Sequence, residues 1–186
     1  GDFAIRAGLP LGRLEEARRE ERIGVVGAGP SGLSFAYQMA RRGYRVTIYD
    51  ARERAGGMLR YGVPDYRLPQ DVLDAEIQKI LDLGVELKLG VEVGRDVSLE
   101  QLRSLHSSLY LGIGAQQGQV LQLPGGEGPG VWSGTEYLGR INRGEPVEAG
   151  ARVTVVGGGN TAIDSARCAR RGGADVTILY RRSRDE

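Results

Sequence analysis

The chain has 186 residues, 40% hydrophobic and 26% charged, enough for one sizeable domain or two small ones of ordinary soluble composition. Its formal net charge of +1 gives no electrostatic basis for a nucleic-acid or anionic-membrane partner. No apolar run approaches the ~20 residues of a membrane-spanning helix, and no signal-peptide core opens the chain. The single cysteine, Cys168, excludes an internal disulfide, a CxxC redox pair and a cysteine-ligated cluster within the sequence. A soluble cytoplasmic protein is the expectation.

Residues 11–21, LGRLEEARREE, are charged and helix-prone, which predicts a solvated leader helix. From Ile23 short apolar runs alternate with helical periodicity. Strand Ile23–Val26 leads to a helix from about Ser31 to Arg42, stopped by Gly43, and to strand Arg45–Tyr49. This is one βαβ unit, which requires a parallel pair and a right-handed crossover. QDVLDAEIQKILDLG puts Leu73, Ile77, Ile80 and Leu81 on one helical face and ends at Gly84. VELKLGVEV alternates as a strand, and SLYLGIGA, 108–115, is another strand running into a glycine turn. LPGGEGPGVWSG, 123–134, holds two prolines and five glycines and reads as a linker, with a domain boundary near residue 130. A short helix in SGTEYLGRINRG and a second βαβ unit from Val153 complete the chain. The 30 glycines cluster at strand ends and not in a low-complexity tract.

Both βαβ units carry a glycine fingerprint. In GAGPSG, Gly27 permits the tight turn, Gly29 lets a pyrophosphate approach the backbone, and Gly32 brings the helix close to the strand. The helix N-terminus then receives the anion. Asp50 ends the second strand, where a carboxylate accepts hydrogen bonds from ribose hydroxyls. In GGGNTA the glycines are Gly157 and Gly159, with Ala162 at the third position. The place of Asp50 falls here at about Tyr180, followed by Arg181 and Arg182, two guanidinium groups where a 2′-phosphate would stand. Opposite charge at the two discriminating positions points to FAD at the first site and NADPH at the second, with hydride transfer between them. The fold expected is α/β, with two Rossmann-like dinucleotide-binding domains. Residues 1–22 form a leader, 23–130 the FAD-binding domain, and 131–186 the start of an NADPH-binding domain that is cut short.

VVGAGPSGLSFAY, DARERAGGMLRYGVPDYRLP, GVEVGRD and VVGGGNTAIDSAR with LYRRSRDE together carry a family resemblance. From Ile23 onward the chain resembles the NADPH-dependent glutamate synthase small (beta) subunit, and more broadly the flavoprotein module shared with dihydropyrimidine dehydrogenase and NADPH–ferredoxin oxidoreductases. The resemblance implies that Gly27, Ala28, Gly29, Pro30 and Ser31 hold the FAD pyrophosphate. It puts Asp50, Ala51, Arg52, Gly57 and Met58 along the adenosine ribose and phosphates, Arg67 on the flavin nucleotide and Val93 on the adenine through its backbone. Gly114 lies in GIGA, which stands where related flavoproteins have ATGA. Gly158, Gly159, Asn160 and Thr161 would hold the NADPH pyrophosphate, with Arg181 and Arg182 on its 2′-phosphate.

The family's cysteine-rich N-terminal region is missing from this sequence, so iron–sulfur clusters are expected only on an absent N-terminal region or on a partner. Relatives also continue past RRSRDE, so a fragment or truncated product is expected. The implied activity is an electron-input subunit that passes a hydride from NADPH to FAD and electrons onward to an iron–sulfur chain in a larger catalytic subunit or iron–sulfur protein. An FAD subunit of another NAD(P)H- or ferredoxin-linked complex, and a non-catalytic structural FAD holder, are the alternatives. No catalytic acid–base residue and no metal-ligand spacing is read. His106 and Cys168 are expected to pack, and Asp164 either to fix the nicotinamide side or to lie on the helix surface.

Overall fold

A computed structural model describes residues 2–14, 16–115, 118 and 124–182. Leu123, at the head of the expected linker, and residues 183–186 lie outside the described residues. The chain divides into two compact units: Gly1–Arg60 with Leu68–Gly114, and Tyr61–Arg67 with Ala115–Glu186.

The first unit is built on four parallel strands: β1 (Arg22–Val26), β2 (Arg45–Asp50), β3 (Glu86–Leu89) and β4 (Ser108–Leu111). Their order is β3-β2-β1-β4, the half-sheet of a doubly wound nucleotide-binding fold. In β1, Ile23 pairs with Val46 on one side and with Ser108 on the other. Four of the five β1 residues are buried, as a central parallel strand covered on both faces requires. Side chains alternate across the sheet. Val25, Val46 and Ile48 face helices α2 (Pro30–Arg41) and α4 (Gln70–Leu81), meeting Leu33, Ala36, Ala40, Leu73 and Ile77. Val26 and Tyr49 face the opposite way, onto Leu102 of α5 (Leu99–Leu105). Short helices α1 (Asp2–Arg6) and α3 (Met58–Tyr61) complete the description of this part of the chain.

Two expectations for the first unit need correction. The leader 11–21 forms no helix among its described residues, and β1 opens one residue before Ile23, at Arg22. Leu11 packs on the core, and backbone hydrogen bonds hold the charged stretch beyond it. The Leu14 N–H donates to Arg41 O at 2.9 Å and the Arg19 N–H to Gly43 O at 3.0 Å, while the Arg13 guanidinium caps Leu83 O. The strand expected over 85–93 stops at Leu89, because Gly90, at φ +69°, turns the chain. Beyond it the Gly90 and Val91 N–H groups donate to Arg52 O and Asp50 O at 3.0 and 2.9 Å. Helix α5 was not expected. It starts on a capping box in which the Gln101 N–H donates to Ser98 Oγ at 3.1 Å and the Ser98 N–H to Gln101 Oε1 at 2.7 Å.

The second unit pairs β5 (Arg152–Val156) with β6 (Asp175–Leu179) in parallel, joined by α7 (Asn160–Arg171). Helix α6 (Gly134–Asn142) begins at Ser133, whose Oγ accepts the Glu136 N–H at 3.2 Å. Tyr137, Leu138, Ala169 and Ala174 form the small core, with Trp132, Ile141, Val153 and Val176 packed around it.

Candidate dinucleotide sites

The first fingerprint is a turn with walls of bare backbone. Gly27 stands at φ +105°, where an L side chain is strained, and a Cβ there would meet the Gly112 carbonyl carbon at 2.8 Å. A Cβ on Gly32 would fall on the Gly27 carbonyl oxygen. On the other side Gly57, at φ +53°, comes so close that its Cβ would lie 2.6 Å from Gly29 Cα. The Gly27 N–H donates to Tyr49 O, the Gly56 N–H to Ala28 O and the Gly112 N–H to Val26 O, each at 2.8 Å. Gly29 caps α2 with no side-chain hydrogen bond, and Pro30 follows in the first turn, so the helix end presents N–H groups and dipole to an anion.

Asp50 has a first duty that the sequence does not disclose. Its carboxylate accepts the Ala28 N–H at 2.6 Å and the Arg52 N–H at 2.8 Å, tying the end of β2 to the turn. A carboxylate has about four acceptor positions, which leaves room for ribose hydroxyls. Ser31 Oγ shares a 2.7 Å hydrogen bond with the Tyr110 hydroxyl, whose ring stacks on Phe35 at 4.1 Å. Thus Gly27, Ala28, Gly29, Pro30, Asp50 and Gly57 assemble around one turn, with Ser31 beside it in the first turn of α2. Ala51 and Arg52 continue from Asp50, and the Met58 side chain is largely exposed. Val93 packs with Val26, Tyr49 and Leu102, and forms an isolated bridge to Val97. Gly114, at φ +66°, turns the chain beyond β4.

Arg60 is the residue that sequence reading missed here. It is only 3% exposed. Its guanidinium donates to Ala55 O and Asp74 Oδ1, and to Gln70 Oε1 at 2.6 Å. Asp74 also takes Arg54 at 2.8 Å. The loop that backs onto Gly29 is therefore pinned to α4 by a buried cation. The arginine inside the apolar run MLRYG was the available signal.

The second fingerprint repeats the plan with looser packing. Gly157 stands at φ +122° and its N–H donates to Leu179 O at 2.8 Å. Gly159 caps α7 without a side-chain hydrogen bond, and a Cβ on it would meet nothing within 4 Å. A Cβ on Gly158 would strike the Tyr180 ring at 2.7 Å, so the aromatic side chain lies against the turn. Asn160 is exposed, and Thr161 sits where a Cβ on Gly134 would come within 2.8 Å. Arg181 and Arg182 follow Tyr180 and are exposed, and among the described residues neither has an acid partner.

Arg67 belongs to this unit, where its Nη1 donates to Asp164 Oδ2 at 2.7 Å. Asp164 is not a surface carboxylate: it is 4% exposed. Tyr66 donates to the same carboxylate at 3.1 Å, and burial, then this bond, push the phenol above its usual range. Burial also raises the Cys168 thiol. His106 packs in the first unit, sharing a 3.0 Å hydrogen bond with the Tyr49 hydroxyl; desolvation, then Arg22 and Lys88, lower it from its usual range. Among the described residues no three His, Cys, Asp or Glu side chains cluster as a metal site, and no helix is long and apolar enough to cross a membrane.

The sequence profile of the pyridine nucleotide-disulphide oxidoreductase family matches residues 21–185. The chain is 45% identical over 170 residues to the NADP(+)-dependent formate dehydrogenase subunit beta of Moorella thermoacetica, covering 89% of this chain and 24% of that subunit. It is 37% identical over 175 residues to the glutamate synthase (NADPH) small chain of Azospirillum brasilense, covering 87% and 36%. Among solved structures, Mycobacterium tuberculosis FprA in complex with NADPH superposes with a TM-score of 0.71 at 26% identity, over 80% of this chain and 36% of FprA. The chain thus spans well under half the length of these relatives.

Proposed function

Since the chain belongs to the pyridine nucleotide-disulphide oxidoreductase family, we propose that it is the electron-input part of an NADPH-linked flavoprotein, with FAD on the first unit and NADPH on the second. The observation that carries this is the contrast at one position of two otherwise matching βαβ units. Asp50 closes the first, and Tyr180, Arg181 and Arg182 close the second. FAD, when bound, supplies the two-electron to one-electron conversion. Every task left to the chain is binding and orientation.

In the first unit the close-packed glycine turn suits a pyrophosphate, because it leaves the start of α2 capped only by Gly29, with no side chain over the helix end. Asp50 is positioned for ribose hydroxyls while it holds the Ala28 N–H. In the second unit Gly158, Gly159, Asn160 and Thr161 receive the other pyrophosphate at the start of α7. Arg181 and Arg182 offer bidentate donors to a 2′-phosphate that a carboxylate would repel. The Tyr180 ring lies against Gly158, so the two arginines that follow it leave the strand beside the turn.

The relatives' names include a formate dehydrogenase subunit and a glutamate synthase small chain. What these names share is a subunit that works with NADP(H); the proposal adds that electrons enter from NADPH and leave to a larger partner subunit through iron–sulfur clusters held outside the residues present here. A cytoplasmic location, with Cys168 kept as a free thiol, fits this role.

The test is anaerobic. Full-length protein is loaded with FAD, desalted and mixed with NADPH or NADH. Retained yellow colour that NADPH bleaches much faster than NADH is the expected result. Yellow that neither bleaches makes the chain a structural flavin holder, and a colourless protein overturns the first-site assignment.

A further inference from the structure

The motif GGMLRYGVPDYRLP is continuous in sequence but divided in the fold. Gly56, Gly57 and Arg60 serve the first fingerprint, whereas Tyr61–Arg67 belong to the second unit. Within that unit the seven-residue segment is bound along its length. The Asn142 side-chain amide donates to Val63 O at 2.9 Å. Further along, the Tyr66 ring lies under the guanidinium groups of Arg171 and Arg167, at 3.7 and 4.7 Å from its centroid. Its hydroxyl and Arg67 Nη1 both end on Asp164, at 3.1 and 2.7 Å.

Asp164 is the centre of this arrangement. It sits one turn into α7, the helix whose first turn holds Asn160 and Thr161. A carboxylate in a helix face that is otherwise Ser165, Ala166 and Ala169 is costly to bury unless it is paired and hydrogen-bonded. Arg67, itself 44% exposed, and Tyr66 supply that pairing. On the other flank, Gly134 of α6 approaches Thr161 so closely that a Cβ would lie 2.8 Å from Thr161 Cγ2. The first two turns of α7 are thereby held from two sides, by α6 and by the 61–67 segment.

We propose that Asp164 is a positioning residue for the second dinucleotide site: through Arg67 and Tyr66 it locks the first turns of α7 at the pose in which they receive the NADPH pyrophosphate. This deepens the reading of the second unit as the NADPH site and rests on it. It also gives Arg67 a duty in this unit in place of the flavin contact that the resemblance implies.

The full-length flavoprotein is assayed for NADPH-dependent flavin reduction, FAD content and thermal stability. Asp164→Asn keeps the shape but turns an amide toward Arg67. The expected result is a rise of about tenfold in KM for NADPH, the scale of one charge-assisted hydrogen bond. kcat should stay within about twofold and FAD content at the wild-type level, because binding is weakened equally in the ground state and the transition state. Arg67→Lys retains the ion pair and should keep KM for NADPH close to the wild-type value. An unchanged KM in Asp164→Asn overturns the proposal, as does a loss of FAD with KM preserved, which would return Arg67 to the flavin. If Asp164→Asn does not fold, Tyr66→Phe removes one donor to the carboxylate and leaves the Arg67 pair, and is expected to raise KM severalfold; no rise there overturns the proposal too. Wild-type protein that holds FAD but is not reduced by NADPH refutes the underlying function instead.

Discussion

Gly32→Ala tests how tightly the first fingerprint is packed. An added methyl would land on the Gly27 carbonyl oxygen, far inside the 3.0 Å that real Cβ contacts respect, with the Gly27 carbonyl carbon and Val25 Cγ1 at 3.1 Å. Helix α2 would have to retreat by about 1 Å, yet Leu33, Ala36 and Ala40 hold it against Val25 and Ile48, so the strain falls on a close-packed core. Overpacking of this kind costs about 1–3 kcal/mol, and the better helix propensity of alanine returns up to about 1 kcal/mol. A net loss of about 1.5 kcal/mol lowers Tm by roughly 3–6 °C in a protein of this size. The same retreat carries the start of α2 away from the pyrophosphate, so FAD should be lost on desalting. The second unit is the internal control. Ala162 already occupies the matching position, and a Cβ on Gly157 would stand 3.5 Å from its methyl, an ordinary contact. Ala162→Gly should therefore cost less than about 1 kcal/mol, the propensity difference alone. Thermal unfolding of both variants, read with flavin absorbance, decides the matter. A Gly32→Ala protein that melts within about 1 °C of wild type and stays yellow would refute the packing argument.

Other outcomes follow from the same geometry. Arg60→Lys keeps a cation but not the fork that spans Ala55, Gln70 and Asp74, so FAD affinity measured by fluorescence titration should fall about tenfold. Replacing both Arg181 and Arg182 by Glu should cut the preference for NADPH over NADH about 100-fold in flavin-bleaching rates, two charge-assisted contacts becoming repulsions. His106 is held below its ordinary 6.5 by desolvation, Arg22 and Lys88. The unfolded chain then binds the proton first, so this stability is full above pH 6.5 and is lost as pH falls through the lower folded value. A Tm–pH series should show that component in the wild type and not in His106→Gln.

Local signals carried much of the architecture. The expected run of strand, helix and strand from Ile23 matches β1, α2 and β2 to within one residue at each end, because glycine turns and apolar periodicity act over short range. The leader was misread for a physical reason: propensity alone does not make a helix when backbone partners at Arg41 and Gly43 are on offer. Helix α5 was readable in the Ser98–Gln101 capping box, yet seven residues give too few turns for periodicity to register. The partners of Arg67 and Tyr66 were out of reach, since Asp164 lies 97 and 98 residues away in sequence. Nothing in AIDSAR distinguishes a buried carboxylate from a solvated one. The sequence suggests Asp50 as a ribose acceptor but not as the brace for Ala28, which only the fold supplies.

The borrowed segment Tyr61–Arg67 has a consequence for taking the molecule apart. A cut at Gly114 yields a C-terminal piece that lacks Tyr66 and Arg67, leaving Asp164 buried with neither of its cationic and phenolic donors. Such a piece would carry an uncompensated charge in its central helix and should behave as a poor autonomous folder. Grafting the second unit between related proteins therefore needs splices after Arg60 and after Arg67 as well as after Gly114, and a chimaera joined at the last alone would transplant a helix without its anchor.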